Sequence, residues 1–339
     1  MKTSLKMVLA AVLSIIVLAS GLAFAAAAMN GAGSTFAYPI YSAWAYAYNR
    51  STGVQLNYQS IGSGGGQQQI INRTVDFGAS DEPLKPEKLK RDRLLQFPAV
   101  MGGVVIVVNM PGMRPGALKL DPNTLCAIFL GNIKFWDDTR ITSLNRGMNL
   151  PHRPITVVHR SEGSGTTAIF TTYLSEVCRD WKTRVGSGNA VNWPVGIGGK
   201  GSEGVSNYVK RTSYSIGYVE FAYALQNRMT YTLLKNAAGN FVAPTFATFK
   251  EAAATANFDP RKDFYLWMVN APGRNAWPIA GATFILLSKE QPAANKKVAR
   301  FFDWAFKNGD RTAENLAYVP LPASLKEKIR GYWKKEGVY

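Results

Sequence analysis

The sequence predicts an α/β protein of two lobes, the first of them discontinuous along the chain. Three observations lead there. Short strand-like runs alternate with helical segments along most of the length, which argues α/β. The 339 residues, 47% of them hydrophobic, are enough for two domain cores. Two β-branched stretches, 97–108 and 277–287, are placed to carry the chain out of one lobe and back again.

The first 25 residues stand apart from the fold. Lys2 and Lys6 form a basic start, 7–18 an apolar run, and Ala23-Phe24-Ala25 a small-x-small cleavage site, so a cleaved secretory signal is expected. The apolar run is short for a membrane span, and no cysteine near the cleavage site offers a lipid anchor. The segment carries two lysines and no acids, so the formal charge of +17 falls to +15 once it is removed. The remaining Lys and Arg are scattered rather than interleaved with aromatics. That disfavours nucleic acid and suits a diffuse field that draws in small anions.

Behind the signal, 38–50 reads as a helix, 54–60 alternates like a strand, 65–73 is a second helix and 76–79 a short buried strand. Pro83, Pro86 and the charges after them make a loop and a surface helix. The run 97–108 is long enough to cross between lobes, with Gly102-Gly103 as its hinge. Residues 121–131 read as a capped helix stopped by glycine, 155–158 as a strand, and 186–204, rich in glycine, as a loop. A strand at 216–219, a helix at 245–256, the return strand 282–287, and amphipathic helices at 296–307 and 323–335 complete the chain. Cys126 and Cys178 can pair in an exported protein or remain two buried thiols. His152 and His159 lack metal-ligand spacing, so neither a metal nor another cofactor is expected.

The most informative stretch is 155–175, ITVVHRSEGSGTTAIFTTYLS. A strand ends in Arg160, a tight Glu162-Gly163-Ser164-Gly165-Thr166 loop follows, and a helix begins. Glycines let backbone approach an anion, hydroxyls donate, a helix start adds free N–H groups, and arginine adds a fixed fork of donors. Two further loops of this kind, 31–36 (GAGSTF) and 61–66 (IGSGGG), also lead into helices.

Rival motifs fail. Residues 196–201 match G-x-G-x-x-G but lack a clear preceding strand and following helix, and Lys200 is followed by glycine rather than by the Ser or Thr of a Walker loop. Ser63 and Ser164 have Ile61 and Glu162 where a nucleophile elbow needs glycine. His159 reads as a strand-end side chain. Asp81, in FGASDEP, is either a plain turn residue or a carboxylate facing the anion. The second reading makes sense only for a protonated ligand, because a carboxylate accepts from a P–OH group but repels a fully ionised oxyanion.

Nine ordered motifs carry a resemblance. They are 31–36 (GAGSTF), 57–66 (NYQSIGSGGG), 75–84 (VDFGASDEPL), 97–105 (FPAVMGGVV), 130–138 (LGNIKFWDD), 160–166 (RSEGSGT), 193–201 (WPVGIGGKG), 216–224 (IGYVEFAYA) and 277–286 (WPIAGATFIL). From about Asn30 to the C-terminus the chain resembles the periplasmic phosphate-binding proteins of the ATP-driven phosphate importer. The resemblance implies a type II periplasmic binding fold, each lobe a mixed sheet flanked by helices and the two joined by hinge strands. The lobes would be 26–102 with 283–339, and 103–282. It implies a non-enzymatic monomer that binds inorganic phosphate and delivers it to inner-membrane permease subunits. Another tetrahedral oxyanion (sulfate, molybdate) or a secreted phosphatase are the alternatives.

Carried onto this sequence, the family's contacts are the N–H groups of Thr35 and Phe36 with the Thr35 hydroxyl, and Ser63. Asp81 would accept the phosphate proton, Arg160 would supply the charge, and Ser164, Gly165 and Thr166 would donate from the far lobe. Glu162 stands where the family usually carries Asp. Its extra methylene still allows an ion pair with Arg160.

Overall fold

The computed structural model describes residues 28–338, so the signal expected over 1–25 lies outside the described residues. The chain runs β1 (Met29–Gly33), α1 (Tyr38–Thr52), β2 (Leu56–Ser60), α2 (Ser63–Ile71), β3 (Phe77–Ser80), α3 (Pro86–Asp92) and the long β4 (Leu94–Asn109). Then come β5 (Lys119–Leu120), α4 (Pro122–Phe129), α5 (Thr139–Thr142), β6 (Thr156–Arg160), α6 (Gly165–Val177) and α7 (Arg179–Arg184). Next are β7 (Ile197–Gly199), α8 (Gly201–Arg211), β8 (Ser215–Glu220), α9 (Phe221–Gln226), β9 (Thr230–Tyr231), β10 (Leu233–Lys235) and β11 (Phe241–Val242). The chain closes with α10 (Phe246–Ala254), β12 (Ala280–Ser288), α11 (Pro292–Asn308), α12 (Asp310–Asn315) and α13 (Ala323–Lys335).

The main sheet has the order β2-β1-β3-β12-β4-β8-β6-β7, with β9 on β4. Its two halves share one strand. Residues 94–103 of β4 pair antiparallel with β12, and 104–109 with β8. Every residue of β4 but the last is buried, which explains a continuous apolar run in place of alternation. This is the expected two-lobed α/β arrangement. The strand does not break at Gly102-Gly103. A Cβ there would lie 3.0 Å from the Phe36 ring and 2.2 Å from the Phe249 ring, so the glycines admit close aromatic packing. The return passes through Ile279, whose carbonyl accepts from Val104 N–H at 2.9 Å. No helix among the described residues is long and apolar enough to cross a membrane.

Local signals set most of the elements. α1 carries Pro at its start and stops at Gly53 in the left-handed region (φ 73°). Asp121 caps α4 by accepting from Thr124 N–H, and Thr245 and Thr248 form a reciprocal capping box at α10. One expectation is corrected. Residues 186–204 are not all loop, because β7 pairs with Val158–Arg160 of β6 and α8 starts at Gly201. Glycine density hides them: Gly199 is needed where β7 meets α8, since a Cβ there would lie 2.7 Å from Val205 N.

Cys126 and Cys178 are joined, closing a separation of 52 residues between α4 and the C-terminal end of α6. A loop of that length is worth roughly 4 kcal/mol on the chain-entropy account. Replacing both cysteines by serine should lower the denaturant midpoint accordingly. An unchanged midpoint would show that the bridge restrains nothing in the unfolded chain.

Candidate anion-binding site

The site is built where strands hand over to helices. β1 ends at Gly33 (φ 135°) and leads through Ser34-Thr35-Phe36 into α1. β2 leads through Gly62 (φ 88°) into α2, which begins at Ser63. β6 ends at Arg160, and α6 begins after Ser164, whose hydroxyl accepts from Thr167 N–H at 3.1 Å. β3 ends one residue before Asp81. Free N–H groups and positive dipole ends therefore gather at the carboxyl ends of the strands.

The residues expected there come together and are buried. Thr35, Phe36, Ser63, Asp81, Arg160, Ser164 and Thr166 are each no more than 3% exposed. Arg160 Nη1 donates to Thr166 Oγ1 at 3.3 Å. Ser63 Oγ accepts from Asp81 N–H at 3.1 Å. A Cβ on Gly165 would lie 2.3 Å from Ser63 Oγ and 2.6 Å from Asp81 Oδ2, so only glycine lets α6 meet α2 and Asp81 this closely.

The charges are arranged unevenly. Arg160 donates from Nε to Glu162 Oε1 at 2.8 Å and from Nη2 to the same oxygen. Glu162 Oε1 also accepts from Gly201 N–H at 3.0 Å, so the glutamate orients the arginine and caps α8 at once. Arg160 Nη1, aimed away from Glu162, faces Thr166 and lies 3.5 Å from Ser202 Oγ. Asp81 Oδ1 accepts from Ser34 Oγ at 2.5 Å and Thr283 Oγ1 at 2.6 Å. Among the described residues its Oδ2 meets only Ser63 Oγ, at 3.4 Å, and so retains the capacity to accept a proton donor. Burial pushes the Asp81 carboxyl up to about 6, against the pull of the Ser34 and Thr283 hydrogen bonds and of Arg160.

The loops of the two half-sheets touch across the site. Gly64 N–H donates to Gly163 O at 2.8 Å, Thr35 Oγ1 lies 3.0 Å from Ser202 Oγ, and Asn189 Nδ2 donates to Glu82 Oε2 at 2.7 Å. Asn189 O also accepts from Ser164 N–H at 2.7 Å, so one residue both braces the Ser164 loop and reaches the opposite half.

Sequence reasoning missed Ser34 and Thr283, which hold Asp81, and Gly201-Ser202 and Asn189. Thr283 is one polar residue in an apolar strand, 202 positions from Asp81, and nothing local marks it. For Ser202 the available signal is Gly201, which opens α8 with φ 71°, and the glycine density of 186–204 masks it. The objection that 196–201 lacks a strand and a helix falls with the loop reading of that segment. The start of α8 is nonetheless taken by the Glu162 carboxylate, which would repel a pyrophosphate. His159 stacks on Trp193 with ring centroids 4.7 Å apart, and burial lowers its pKa, as suits a packing residue.

A sequence model described as the PBP superfamily domain matches residues 19–308. The chain is 53% identical over 310 residues to the phosphate-binding protein PstS of Pasteurella multocida strain Pm70, covering 91% of this chain and 90% of that one. It is 51% identical to PstS of Haemophilus influenzae Rd, covering 91% and 93%. Among solved structures it is similar in fold to the phosphate-bound, high-affinity periplasmic phosphate-binding protein PfluDING. The TM-score is 0.70 at 24% identity, covering 89% and 93%.

Proposed function

The chain belongs to the PBP superfamily and, within it, to the PstS phosphate-binding proteins, and we propose that it captures inorganic phosphate with high affinity in the periplasm and delivers it to the inner-membrane permease subunits of an ABC-type importer. One observation carries the choice of ligand. A buried carboxylate, Asp81, faces the same point as a buried guanidinium, Arg160, and the starts of α2 and α6. That combination suits a tetrahedral anion that still holds a proton. Phosphate near neutral pH always does, and sulfate does not. Burying either one dry is costly unless every oxygen is matched. Phosphate matches Asp81 with its P–OH, while sulfate would bring two anionic oxygens together.

In this reading Thr35, Phe36, Ser63, Asp81, Arg160, Ser164, Gly165 and Thr166 contact the anion, and Glu162 orients the arginine. The lobes are 26–102 with 283–339, and 103–282, with the change of β4 partner at Gly103 in support. They close over the ligand, and the surface formed on closure reports occupancy to the permease. The protein works as a monomer, catalyses no reaction, needs no cofactor, binds no nucleic acid and reaches the periplasm by a cleaved signal.

Calorimetric titration at pH 7.5 tests the reading. Phosphate and arsenate, both protonated, should bind one to one. Sulfate and molybdate should not compete. Sulfate binding as tight as phosphate would overturn the ligand assignment, and steady hydrolysis of a chromogenic phosphate ester would overturn the non-catalytic one.

A further inference from the structure

Three consecutive carbonyls of the β1–α1 loop are each met by a tyrosine hydroxyl. Tyr58 OH donates to Ser34 O at 2.8 Å, Tyr223 OH to Thr35 O at 2.8 Å, and Tyr318 OH to Phe36 O at 2.6 Å. These tyrosines come from different places: β2, α9 of the opposite half-sheet, and the segment after α12. In a trans peptide the carbonyl of one residue and the N–H of the next point opposite ways, and no described peptide bond is cis. Holding Ser34 O outward therefore turns Thr35 N–H inward, and holding Thr35 O outward turns Phe36 N–H inward. The third plane obeys the same rule, since Ala37 N–H turns back to Ser34 Oγ at 3.1 Å. Neither Thr35 N–H nor Phe36 N–H has a protein acceptor among the described residues.

We propose that Tyr58, Tyr223 and Tyr318 are positioning residues for anion recognition: Tyr58 and Tyr223 fix the peptide planes that turn the Thr35 and Phe36 N–H groups toward the ligand, and Tyr318 anchors the next plane, whose Ala37 N–H closes the loop on Ser34 Oγ. The proposal rests on the phosphate reading above. It adds a link between closure and binding. Tyr58 and Tyr318 hold their carbonyls from the loop's own side of the cleft. Tyr223 arrives with the opposite half, so the Thr35–Phe36 plane is locked only when the halves meet. Tyr223 OH also lies 2.9 Å from Glu203 Oε1 and Tyr318 OH 3.0 Å from Glu220 Oε2, so a carboxyl competes for the proton of each of these two phenols. Burial pushes all three phenols above their ordinary range, so they remain donors across the physiological pH range.

Tyr58→Phe, Tyr223→Phe and Tyr318→Phe each delete one oxygen and keep the ring. Each should weaken phosphate binding about 10-fold, the value of one lost hydrogen bond. Tyr223→Phe should do so through faster release with little change in the association rate. The decisive readout is the orientation of the Thr35 and Phe36 N–H vectors from residual dipolar couplings, measured without added anion. In Tyr58→Phe the Thr35 vector should reorient, while couplings elsewhere and the melting temperature stay near wild type. An unchanged Thr35 vector in Tyr58→Phe, or affinity losses that only track lost stability, would overturn the proposal. Failure of the wild-type protein to bind phosphate would instead overturn the functional reading, and the couplings would still decide whether the tyrosines set the loop.

Discussion

Replacing Asp81 by asparagine is expected to admit sulfate. The amide keeps an oxygen for Ser34 and Thr283, which now donate to Oδ1 at 2.5 and 2.6 Å, and turns its NH2 toward the position that Oδ2 holds. A donor replaces an acceptor, so an unprotonated oxygen gains a partner where it met a charge. Mismatched buried polar partners discriminate by roughly 10⁴-fold, and most of that preference for phosphate should vanish. The wild-type protein should move the same way as pH falls through about 6, where the Asp81 carboxyl takes up a proton and becomes a donor. Linkage gives a second readout. The folded protein holds this proton up to about 6, while the unfolded chain releases it near 3.8. Stability is therefore lost as pH rises between those values, by roughly 3 kcal/mol in all. Asp81→Asn should remove that loss and melt higher than wild type above pH 6. An unchanged phosphate-over-sulfate ratio in calorimetry would end the role given to this carboxylate.

Arg160→Ala should have the next largest effect, on affinity and stability together. On the proposed reading the guanidinium supplies the positive charge that faces the anion, and charge-assisted hydrogen bonds are worth roughly 1.5–3 kcal/mol, about 10- to 150-fold in affinity. Its loss also strands Glu162, whose Oε1 then keeps, among the described residues, only Gly201 N–H and whose Oε2 is buried with no hydrogen-bond partner among them. Breaking such a pair costs roughly 3 kcal/mol. The two effects separate in the Arg160→Ala/Glu162→Gln double variant, which should regain melting temperature but not phosphate affinity. Near-wild-type binding by Arg160→Ala would mean that helix starts and hydroxyls hold the anion unaided.

Much of the site was legible because its chemistry is written locally. Glycine-rich loops running into helices at 31–36, 61–66 and 160–166 announce anion cradles by composition alone, and Ser164 does cap α6. Asp81 was legible only in part. Its neighbours in sequence leave turn and ligand roles open, and its burial and its bonds from Ser34 and Thr283, both far away in the chain, support the ligand role without being visible locally. The departure at Glu162 was visible as a letter. That its carboxylate also caps α8 was not, because the start of α8 lies in the glycine-rich segment 186–204, which reads as loop.

What the sequence determined by itself is therefore whatever depends on residues a few positions apart. The α/β alternation, the helix caps, the uninterrupted apolar run of β4 and the kind of ligand a Gly-Ser-Thr loop can hold all follow from short-range stereochemistry and solvation. Only the tertiary structure decided what depends on long-range juxtaposition. It joined Cys126 to Cys178, exchanged β12 for β8 beside β4 at Gly103, and set three distant tyrosines on three adjacent carbonyls. Those pairings arise from packing across the whole chain, and no local pattern encodes which distant residue will meet a given backbone oxygen.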